Sequence, residues 1–185
     1  MGRATVQFFS QHMETSPVNI PLDDLGLQPG VQWERTFPLD LPPVTLGGER
    51  HQVLVRDGVR VLVERIAGGF LVRVSLTATV YGPCARCLRE VPLDVEAEEE
   101  EFVPTAKDQW EESQFSEFIQ DLVVDVNGMA REALILSLPS QIVCSSECKG
   151  LCARCGRDLN QEECACPPDE IDERWGRLKD LKLDD

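Results

Sequence analysis

Long apolar runs and aromatic residues are scarce in this sequence. Each shortage excludes a class of protein or limits the composition of the core. No stretch approaches the ~20 consecutive apolar residues that a membrane-spanning helix needs. The opening residues MGRATVQFFSQHM contain no apolar run typical of a secretory signal peptide. Only eleven of the 185 residues are aromatic, so valine, leucine and isoleucine must fill the core. These shortages predict a cytoplasmic protein with no membrane segment and one thinly filled core.

Motifs of the common enzyme classes are also missing. The chain has no GxSxG, P-loop, GxGxxG or HExxH sequence. Its two histidines, His12 and His51, lie near no candidate nucleophile and are interpreted as surface or strand residues. A nuclease would need carboxylates that converge on Mg²⁺, and the acidic runs show no such arrangement. The sequence therefore predicts that the protein is not an enzyme.

Positive charge is in deficit. The chain carries 18 Lys and Arg against 33 Asp and Glu, for a net charge of −15. Phosphate contacts need clustered basic residues, so this balance argues against a general nucleic-acid-binding surface. It suits a basic protein partner better than bare RNA, with a role in solubility alone as the alternative.

Cysteine is the residue that the sequence has in abundance. Eight cysteines occur: one CxxC pair upstream and six more between residues 144 and 166. Four thiolates complete one tetrahedral zinc site, and such a site is structural because it has no open coordination position. We predict zinc as the cofactor, in one or two structural sites, with ligands drawn from Cys84, Cys87, Cys144, Cys148, Cys152, Cys155, Cys164 and Cys166.

The spacing leaves two ways to share the sulfurs. The zinc-knuckle sequence CARCG at 152–156 and the tight CAC turn at 164–166 can close one site by themselves. Cys144 and Cys148 would then join Cys84 and Cys87 and pin the tail to the upstream body. In the alternative, the tail alone supplies Cys148, Cys152, Cys155 and one of Cys164 and Cys166.

Three other uses of cysteine compete with zinc. A thiol sensor or oxidoreductase shares the CxxC spacing, but its motif follows a strand in a βαβ unit, which we do not find; its thiols would react freely. A disulfide framework needs an oxidising compartment. Iron–sulfur clusters are compatible with eight cysteines, but the spacings match neither ferredoxin pattern.

Alternating apolar and polar residues predict an antiparallel meander of four or more strands. The alternation begins at Val31, where nearby prolines limit the first strand to an edge. It is clearest over residues 51–103. There Asp57-Gly58 is a hairpin turn signal, Gly68-Gly69 marks a second turn, and the first CxxC lies at a hairpin tip with its thiols exposed.

Two further segments are read from charge and periodicity. The glutamate run 98–101 is interpreted as a solvated strand end, with contact to a basic partner as the alternative, and residues 104–116 as an acidic loop. Asp121 is the predicted N-cap of a helix that ends near Ser137. The apolar stripe of this helix, which we expect to cover the sheet, includes Leu122, Val126, Met129, Ala130, Ala133, Leu134 and Leu136.

Three regions follow from these patterns. Residues 1–30 form a weakly structured N-terminal segment, residues 31–143 a β-rich body with its covering helix, and residues 144–185 a zinc-binding tail that ends in a short helix carrying Trp175. The predicted fold class is α+β: an antiparallel β-meander or partly closed β-barrel covered by one helix, with a C-terminal Cys-rich zinc-knuckle tail.

Five segments of the sequence together carry a family resemblance. They are GPCARCLREV (82–91), REALILSLP (131–139), CSSECKGLCARCGRDLN (144–160), CAC (164–166) and IDERWGRLKDL (171–181). As a set they resemble the YceD family, the large-ribosomal-RNA-subunit accumulation proteins. The resemblance implies a bacterial cytoplasmic protein that is needed for normal accumulation of large-subunit ribosomal RNA. It also implies a link to large-subunit ribosomal protein thirty-two.

The resemblance supplies a process rather than a reaction. We therefore expect a non-catalytic factor in synthesis, processing or stability of large-subunit ribosomal RNA. Its expected partners are large-subunit assembly intermediates or a basic ribosomal protein. Basic residues beside the two knuckles can form a local patch for RNA or partner contact, with ordinary solvation as the alternative; they are Arg86, Arg89, Lys149, Arg154 and Arg157.

Overall fold

The structure is a computed structural model that describes residues 17–105 and 116–167. His12, most of the predicted acidic loop and the predicted helix around Trp175 lie outside these residues. The elements of the described part, in chain order, are β1 (Asn19–Pro21), a 3₁₀ turn (Asp23–Leu25), β2 (Gln32–Phe37), β3 (Val44–Leu46), β4 (Glu49–Ile66), β5 (Gly69–Pro83), β6 (Glu90–Pro104), β7 (Ile119–Gln120), β8 (Val123–Asp125) and α1 (Val126–Ser137).

The larger sheet is an antiparallel meander, as the alternation predicts. Its strand order is β2-β4-β5-β6, and β3 pairs with the start of β4. Along β5, buried apolar side chains alternate with half-buried polar ones, the pattern of a sheet with one face on the core. β6 is one edge of the sheet, and β2 and β3 lie along the other. Within residues 17–105 and 116–167 the edges do not pair with each other, so no barrel closes there, and α1 covers the apolar face.

The Asp57-Gly58 pair forms a β-bulge and not the predicted hairpin turn. β4 continues through the pair and stays hydrogen-bonded to β5 on both sides, with a register shift between Arg56 and Val59. Asp57 and Gly58 have φ angles of 54° and 80°. These left-handed conformations are common to hairpin turns and to some bulges, so the dipeptide alone does not distinguish them. The predicted turn at Gly68, between β4 and β5, is confirmed.

The helix begins later than predicted. Its N-cap is Asp125, whose carboxylate accepts hydrogen bonds from two N–H groups of the first turn at 3.1 Å. Asp121 and Leu122 instead have φ angles of 49° and 61° and link β7 to β8. β8 also pairs with β1, which gives a second, three-stranded sheet. The two short strands were missed because they are only two and three residues long.

α1 covers the apolar face of the larger sheet, as predicted, and packs on β5 and β6. Leu136 is exposed rather than part of the buried stripe. Within the described residues, no helix combines the length and the apolar character that a membrane crossing requires. Fully buried side chains of this core include Val59, Val61, Val63, Val72, Val74, Val80, Met129 and Leu134.

The glutamate run 98–101 lies inside β6 rather than at a strand end. Glu98 and Glu100 pair with Arg73. Glu99 and Glu101 lie on the opposite face, since they are in register with Val74 and Val72 of the core. Burial raises the pKa of both carboxyls, and repulsion from Glu132 of α1 raises each further.

Glu99→Gln is expected to raise the free energy of unfolding by about 0.5 kcal/mol at neutral pH. The substitution removes a carboxylate that burial and like charges disfavour, although water screens these half-exposed groups. A carboxyl whose pKa is raised by folding destabilises the folded state only when it is ionised. The gain should therefore be complete above the raised pKa and disappear below the ordinary value of the unfolded chain.

Urea unfolding at neutral and acidic pH measures this effect. Glu100→Gln is the matched control, because it removes the same charge from the neighbouring position, where Arg73 stabilises it. We expect no gain from this control. Equal gains from both variants would show that net charge, and not the position on the core face, is responsible.

Candidate metal centres

The first group of four cysteines joins the tip of the β5–β6 hairpin to the tail. Cys84 and Cys87 lie at the tip, and Cys144 and Cys148 lie in the segment after α1; their four sulfurs are all within 4.8 Å of one another. The sulfurs of Cys84 and Cys148 are 3.9 Å apart across 64 residues of sequence, and those of Cys87 and Cys144 are 3.7 Å apart. The structure thus assembles the first of the two pairings that the spacing allows.

The tail covers the hairpin tip. The N–H of Ala85 donates to the carbonyl of Ile142 at 2.8 Å, and the N–H of Leu151 donates to the carbonyl of Arg86 at 3.1 Å. Cys84 is 0% exposed. The expectation of exposed thiols at this tip is therefore wrong. The alternation of apolar and polar residues in the hairpin does not reveal that the tail, about sixty residues later in the sequence, covers its tip.

The second group of four cysteines lies entirely within the tail. It consists of Cys152, Cys155, Cys164 and Cys166, whose sulfurs are also within 4.8 Å of one another. The sulfurs of Cys152 and Cys164 are 3.5 Å apart. Cys155 is exposed and the other three are half-buried, so this group is local in sequence and more open to solvent than the first.

The two CxxC turns have the same backbone hydrogen bonds. In the first turn, the N–H of Cys84 donates to the carbonyl of Arg89, and the N–H of Leu88 donates to the carbonyl of Cys84. In the second turn, Cys152 donates to Arg157 and Gly156 donates to Cys152 in the same way. All four distances are 2.8–3.0 Å. The fourth residue after the first cysteine is left-handed in both turns: Leu88 has a φ of 60° and Gly156 a φ of 71°. Glycine adopts this conformation freely, whereas leucine does so at a cost of about 1–2 kcal/mol.

The sulfur positions fit four thiolates around one ion. Metal–sulfur bonds of ~2.3 Å in a tetrahedron separate the sulfurs by about 3.8 Å, close to the values found. A disulfide would bring two sulfurs to about 2.05 Å, and all eight cysteines are free. The N–H groups of Arg86 and Cys144 lie 3.4 and 3.3 Å from the sulfur of Cys84. Asn160 Nδ2 lies 3.5 Å from the sulfur of Cys148, and such donors support metal-bound thiolates.

Each group lowers the pKa of at least one thiol and raises the pKa of another. Burial raises the pKa of Cys84, but main-chain N–H groups that bond to its sulfur outweigh burial and lower the pKa to about 6. Main-chain N–H groups likewise lower the pKa of Cys152 to about 6. Hydrogen bonding between sulfurs, followed by burial, raises the pKa of Cys144 and Cys166 to about 12. A divalent cation supplies the charge that lets all four sulfurs of a group ionise.

Three of the basic residues beside the knuckles bind groups of the tail. Arg86 donates to the carbonyls of Ser146 and Cys148 at 3.2 and 3.0 Å. Arg89 pairs with Asp158 at 3.1 Å, and Arg157 with Glu162 at 3.0 Å. Lys149 and Arg154 are exposed on the same tail. Arg86 and Arg89 thus help to hold the tail on the hairpin, a role that the sequence analysis did not assign.

Sequence reasoning also missed Asn160 and misplaced His51. Asn160 accepts the N–H of Lys149 at 2.8 Å through its side-chain oxygen. Its amide nitrogen faces the sulfur of Cys148, so Asn160 links the segment at Cys148 to the loop after the second knuckle. No spacing rule singles out this asparagine. His51 lies on a strand, as one interpretation held, but it is buried rather than on the surface.

The family comparison covers both cysteine groups. A family model described as "Large ribosomal RNA subunit accumulation protein YceD" matches residues 72–182. This span also includes most of β5, all of β6 and the whole of α1. No solved structure matches the chain.

Bacterial and plant relatives resemble different lengths of the chain. An uncharacterized protein of Mycobacterium tuberculosis is 28% identical over 179 residues, which are 93% of this chain and 84% of the relative. An uncharacterized protein of Mycobacterium leprae is 28% identical over 181 residues, which are 92% of this chain and 80% of the relative. An Arabidopsis thaliana protein named "Large ribosomal RNA subunit accumulation protein YCED homolog 1, chloroplastic" is 34% identical over 59 residues, covering 32% of this chain and 18% of that protein.

Proposed function

This chain belongs to the YceD family of large ribosomal RNA subunit accumulation proteins, and from that premise we propose that it is a non-catalytic factor in the biogenesis of the large ribosomal subunit. It acts by binding and not by a reaction, in synthesis, processing or stability of large-subunit ribosomal RNA. The family description names the accumulation of an RNA and no chemical transformation.

The observation that carries this proposal is the pair of four-cysteine groups within the matched span. A site with four thiolate ligands is closed, so a bound metal has no position left for water or substrate. Both groups therefore suit a structural role. The first holds the tail on the body, and the second folds the tail upon itself.

We propose zinc as the ion in both groups, with all eight cysteines as its ligands. Zn²⁺ favours four thiolates in a tetrahedron and undergoes no redox change. The main-chain and Asn160 donors at the sulfurs suit such a site. Cysteine-rich tails of this kind often depend on their metal for folding, because little apolar surface is available to bury.

A basic protein is the partner that the charge of the chain favours. The net charge of −15 attracts a basic surface, and ribosomal particles in assembly supply such surfaces. We propose a basic protein of the large subunit, with large-subunit protein thirty-two as a candidate, on an assembly intermediate in the cytoplasm. RNA contact through the exposed Lys149 and Arg154 is the smaller part of this proposal, since the net charge of −15 favours a protein partner.

Depletion of the protein in its native host is expected to lower large-subunit ribosomal RNA relative to small-subunit ribosomal RNA. The tagged protein is expected to co-sediment with large-subunit assembly intermediates on a sucrose gradient. Wild-type protein should restore the RNA ratio on re-expression, whereas Cys84→Ser should not, because it breaks the link between body and tail. An unchanged RNA ratio, together with absence of the protein from every ribosomal fraction, would contradict the proposal.

A further inference from the structure

The face of the larger sheet that points away from α1, here called the outer face, contains a groove of about 580 Å³. Ser75 and Thr77 of β5 form its floor. They alternate with the buried Val74 and Leu76, so their side chains point away from the core. β4 and β6 flank this floor, about 5 Å from β5 on either side. The lining includes Asp57, Arg60, Ser75, Thr77, Glu96 and Glu98.

The β-bulge at Asp57-Gly58 lies in one wall of the groove. A bulge bends its strand and increases the local twist, and here both residues lack a partner on β5, between the paired Arg56 and Val59. Gly58 packs so closely on β2 that a Cβ atom would lie 2.5 Å from the carbonyl oxygen of Phe37. The bulge is therefore fixed by packing, and it adds the carboxylate of Asp57 to the lining.

Two sets of ion pairs border the groove along β5. At one end, Arg56 of β4 reaches Asp94 of β6 at 3.1 Å. At the other end, Arg73 of β5 pairs with Glu98 and Glu100 of β6. Between these ion pairs β5 presents only short hydroxyl side chains, so no long side chain of this strand fills the space.

Two carboxylates of the lining have no cationic partner in the described part of the chain. The arginine of the lining, Arg60, pairs with Glu34 at 2.8 Å. Within residues 17–105 and 116–167, neither Asp57 nor Glu96 forms an ion pair or a side-chain hydrogen bond. Both residues are exposed, so a ligand can reach their carboxylate oxygens from solvent.

The chemistry of the groove favours a long cationic side chain. The aliphatic stem of such a side chain can pack on the threonine methyl group of the floor, while the charged head donates to carboxylate and hydroxyl oxygens. Arginine fits better than lysine, because its planar fork of five N–H donors can reach acceptors on more than one wall. The same carboxylates repel a phosphate-bearing ligand such as RNA.

Leu54 and Tyr81 continue the outer face toward the hairpin tip. They are diagonal neighbours in the β4–β5 ladder, since Leu54 is opposite Thr79 and Tyr81 is opposite Gln52. The two side chains are 52% and 42% exposed. Exposed apolar side chains that lie next to each other are typical of contact surfaces. The outer face thus offers an apolar area beside its acidic groove.

We propose that the outer face is the docking surface for an arginine-containing segment of the basic protein partner. One arginine side chain lies in the groove between Asp57 and Glu96, and an apolar side chain of the same segment packs on Leu54 and Tyr81. The choice of occupant rests on the proposed function, whereas the groove, its two unpaired carboxylates and the apolar area are properties of this chain.

Nitrogen-15 HSQC titration of the full-length, zinc-loaded protein tests the proposal. The probe is the blocked peptide Gly-Arg-Leu-Arg-Gly, and its counterpart with citrulline in place of arginine keeps the size of the side chains but removes their charge. We expect the amide signals of Ser75, Thr77 and Glu96 to shift in a saturable manner with the arginine peptide. Binding of the citrulline peptide should be at least about tenfold weaker, and the amide signals of α1, on the other face, should not move.

Charge-matched variants separate the groove from general electrostatic attraction. Glu96→Gln is expected to weaken binding of the arginine peptide about threefold, because it removes one charge-assisted acceptor at an exposed site. Asp57→Asn should have a similar effect, and it keeps the bulge because asparagine tolerates the left-handed conformation. Glu49→Gln removes the same charge from an exposed position outside the groove and should leave binding unchanged.

Three results would overturn the inference. They are amide signals of the groove that do not move with the arginine peptide, equal binding of the citrulline peptide, and equal weakening by Glu49→Gln and Glu96→Gln. Co-sedimentation of the protein with ribosomal particles is measured separately. If it is seen and the peptide does not bind, the groove assignment is wrong and the proposed function stands. If the peptide binds and the protein is absent from every ribosomal fraction, the groove assignment stands and the ribosomal partner is wrong.

Discussion

Cys84→Ser is expected to remove one of the two proposed zinc ions and to lower the free energy of unfolding by more than ~4 kcal/mol. Cys84 is fully buried, and two main-chain N–H groups lie within hydrogen-bond distance of its sulfur. Loss of a structural metal is among the few single changes with effects of this size. Elemental analysis measures the ions per chain, and denaturant unfolding followed by circular dichroism measures stability.

The position of this group in the chain explains why the effect should be large. A link across 64 residues lowers the entropy of the unfolded chain by an amount worth ~4 kcal/mol on the loop-closure relation used for disulfides. The second group links cysteines 12 residues apart, for which the same relation gives ~3 kcal/mol. The first group also holds separate parts of the fold together, whereas the second acts within the tail.

Cys155→Ser is the matched control. It lies in the second group, on the surface, and should also remove one ion. The free energy of unfolding of the sheet and α1 should change by less than about 1 kcal/mol, because the first cysteine group and the Arg86 hydrogen bonds, which hold the tail on the body, do not involve Cys155. If both variants retained two ions, or if both destabilised the body equally, the assignment of one linking and one local metal site would be wrong.

Leu134→Ala is expected to lower the free energy of unfolding by about 3 kcal/mol. Leu134 is 0% exposed on the face of α1 that packs against the larger sheet. Truncation of a buried leucine leaves a cavity and loses the transfer free energy of its methyl groups, with measured costs of about 2–5 kcal/mol. Urea unfolding with an unchanged slope would confirm that the folded state, and not the unfolded ensemble, is affected.

Leu136→Ala provides a control within the same helix. Leu136 is 72% exposed, so its truncation should change stability by less than about 0.5 kcal/mol. Both leucines belong to the apolar stripe read from the sequence, and only the structure distinguishes them. A loss of 2 kcal/mol or more from Leu136→Ala would show that this side chain is covered in solution.

The larger sheet and its helix were predictable because their patterns are local. Alternation over fifteen residues of β5 and a stripe that ends before Pro139 both record which side chains face the core. Errors occurred where one local signal suits two structures. Asp57-Gly58 adopts the dihedral angles of a turn inside an unbroken strand, and Asp121 lies in the turn of a two-strand hairpin rather than at the start of the helix.

The candidate metal centres divide in the same way. The number of cysteines and the CxxC spacing, which are properties of the sequence, predicted one or two metal sites with four thiolates each. The spacing could not distinguish a tail that is closed on itself from a tail joined to the hairpin, because both arrangements fit the same cysteine positions. Contacts such as the Arg86 hydrogen bonds to Ser146 and Cys148 exist because the tail is joined to the hairpin. No pattern in the sequence predicts them.

By itself, the sequence determined the antiparallel character of the sheet, the presence of a covering helix, the likeness to a family, and the supply of eight sulfurs. These depend on residue type and on spacing over a few turns or strands. Only the tertiary structure decided which sulfurs meet, which leucine is buried, and that the His51 ring is buried against Gly82. These depend on the return of the tail to a hairpin tip about sixty residues earlier, and no short-range pattern records how a chain folds back on itself.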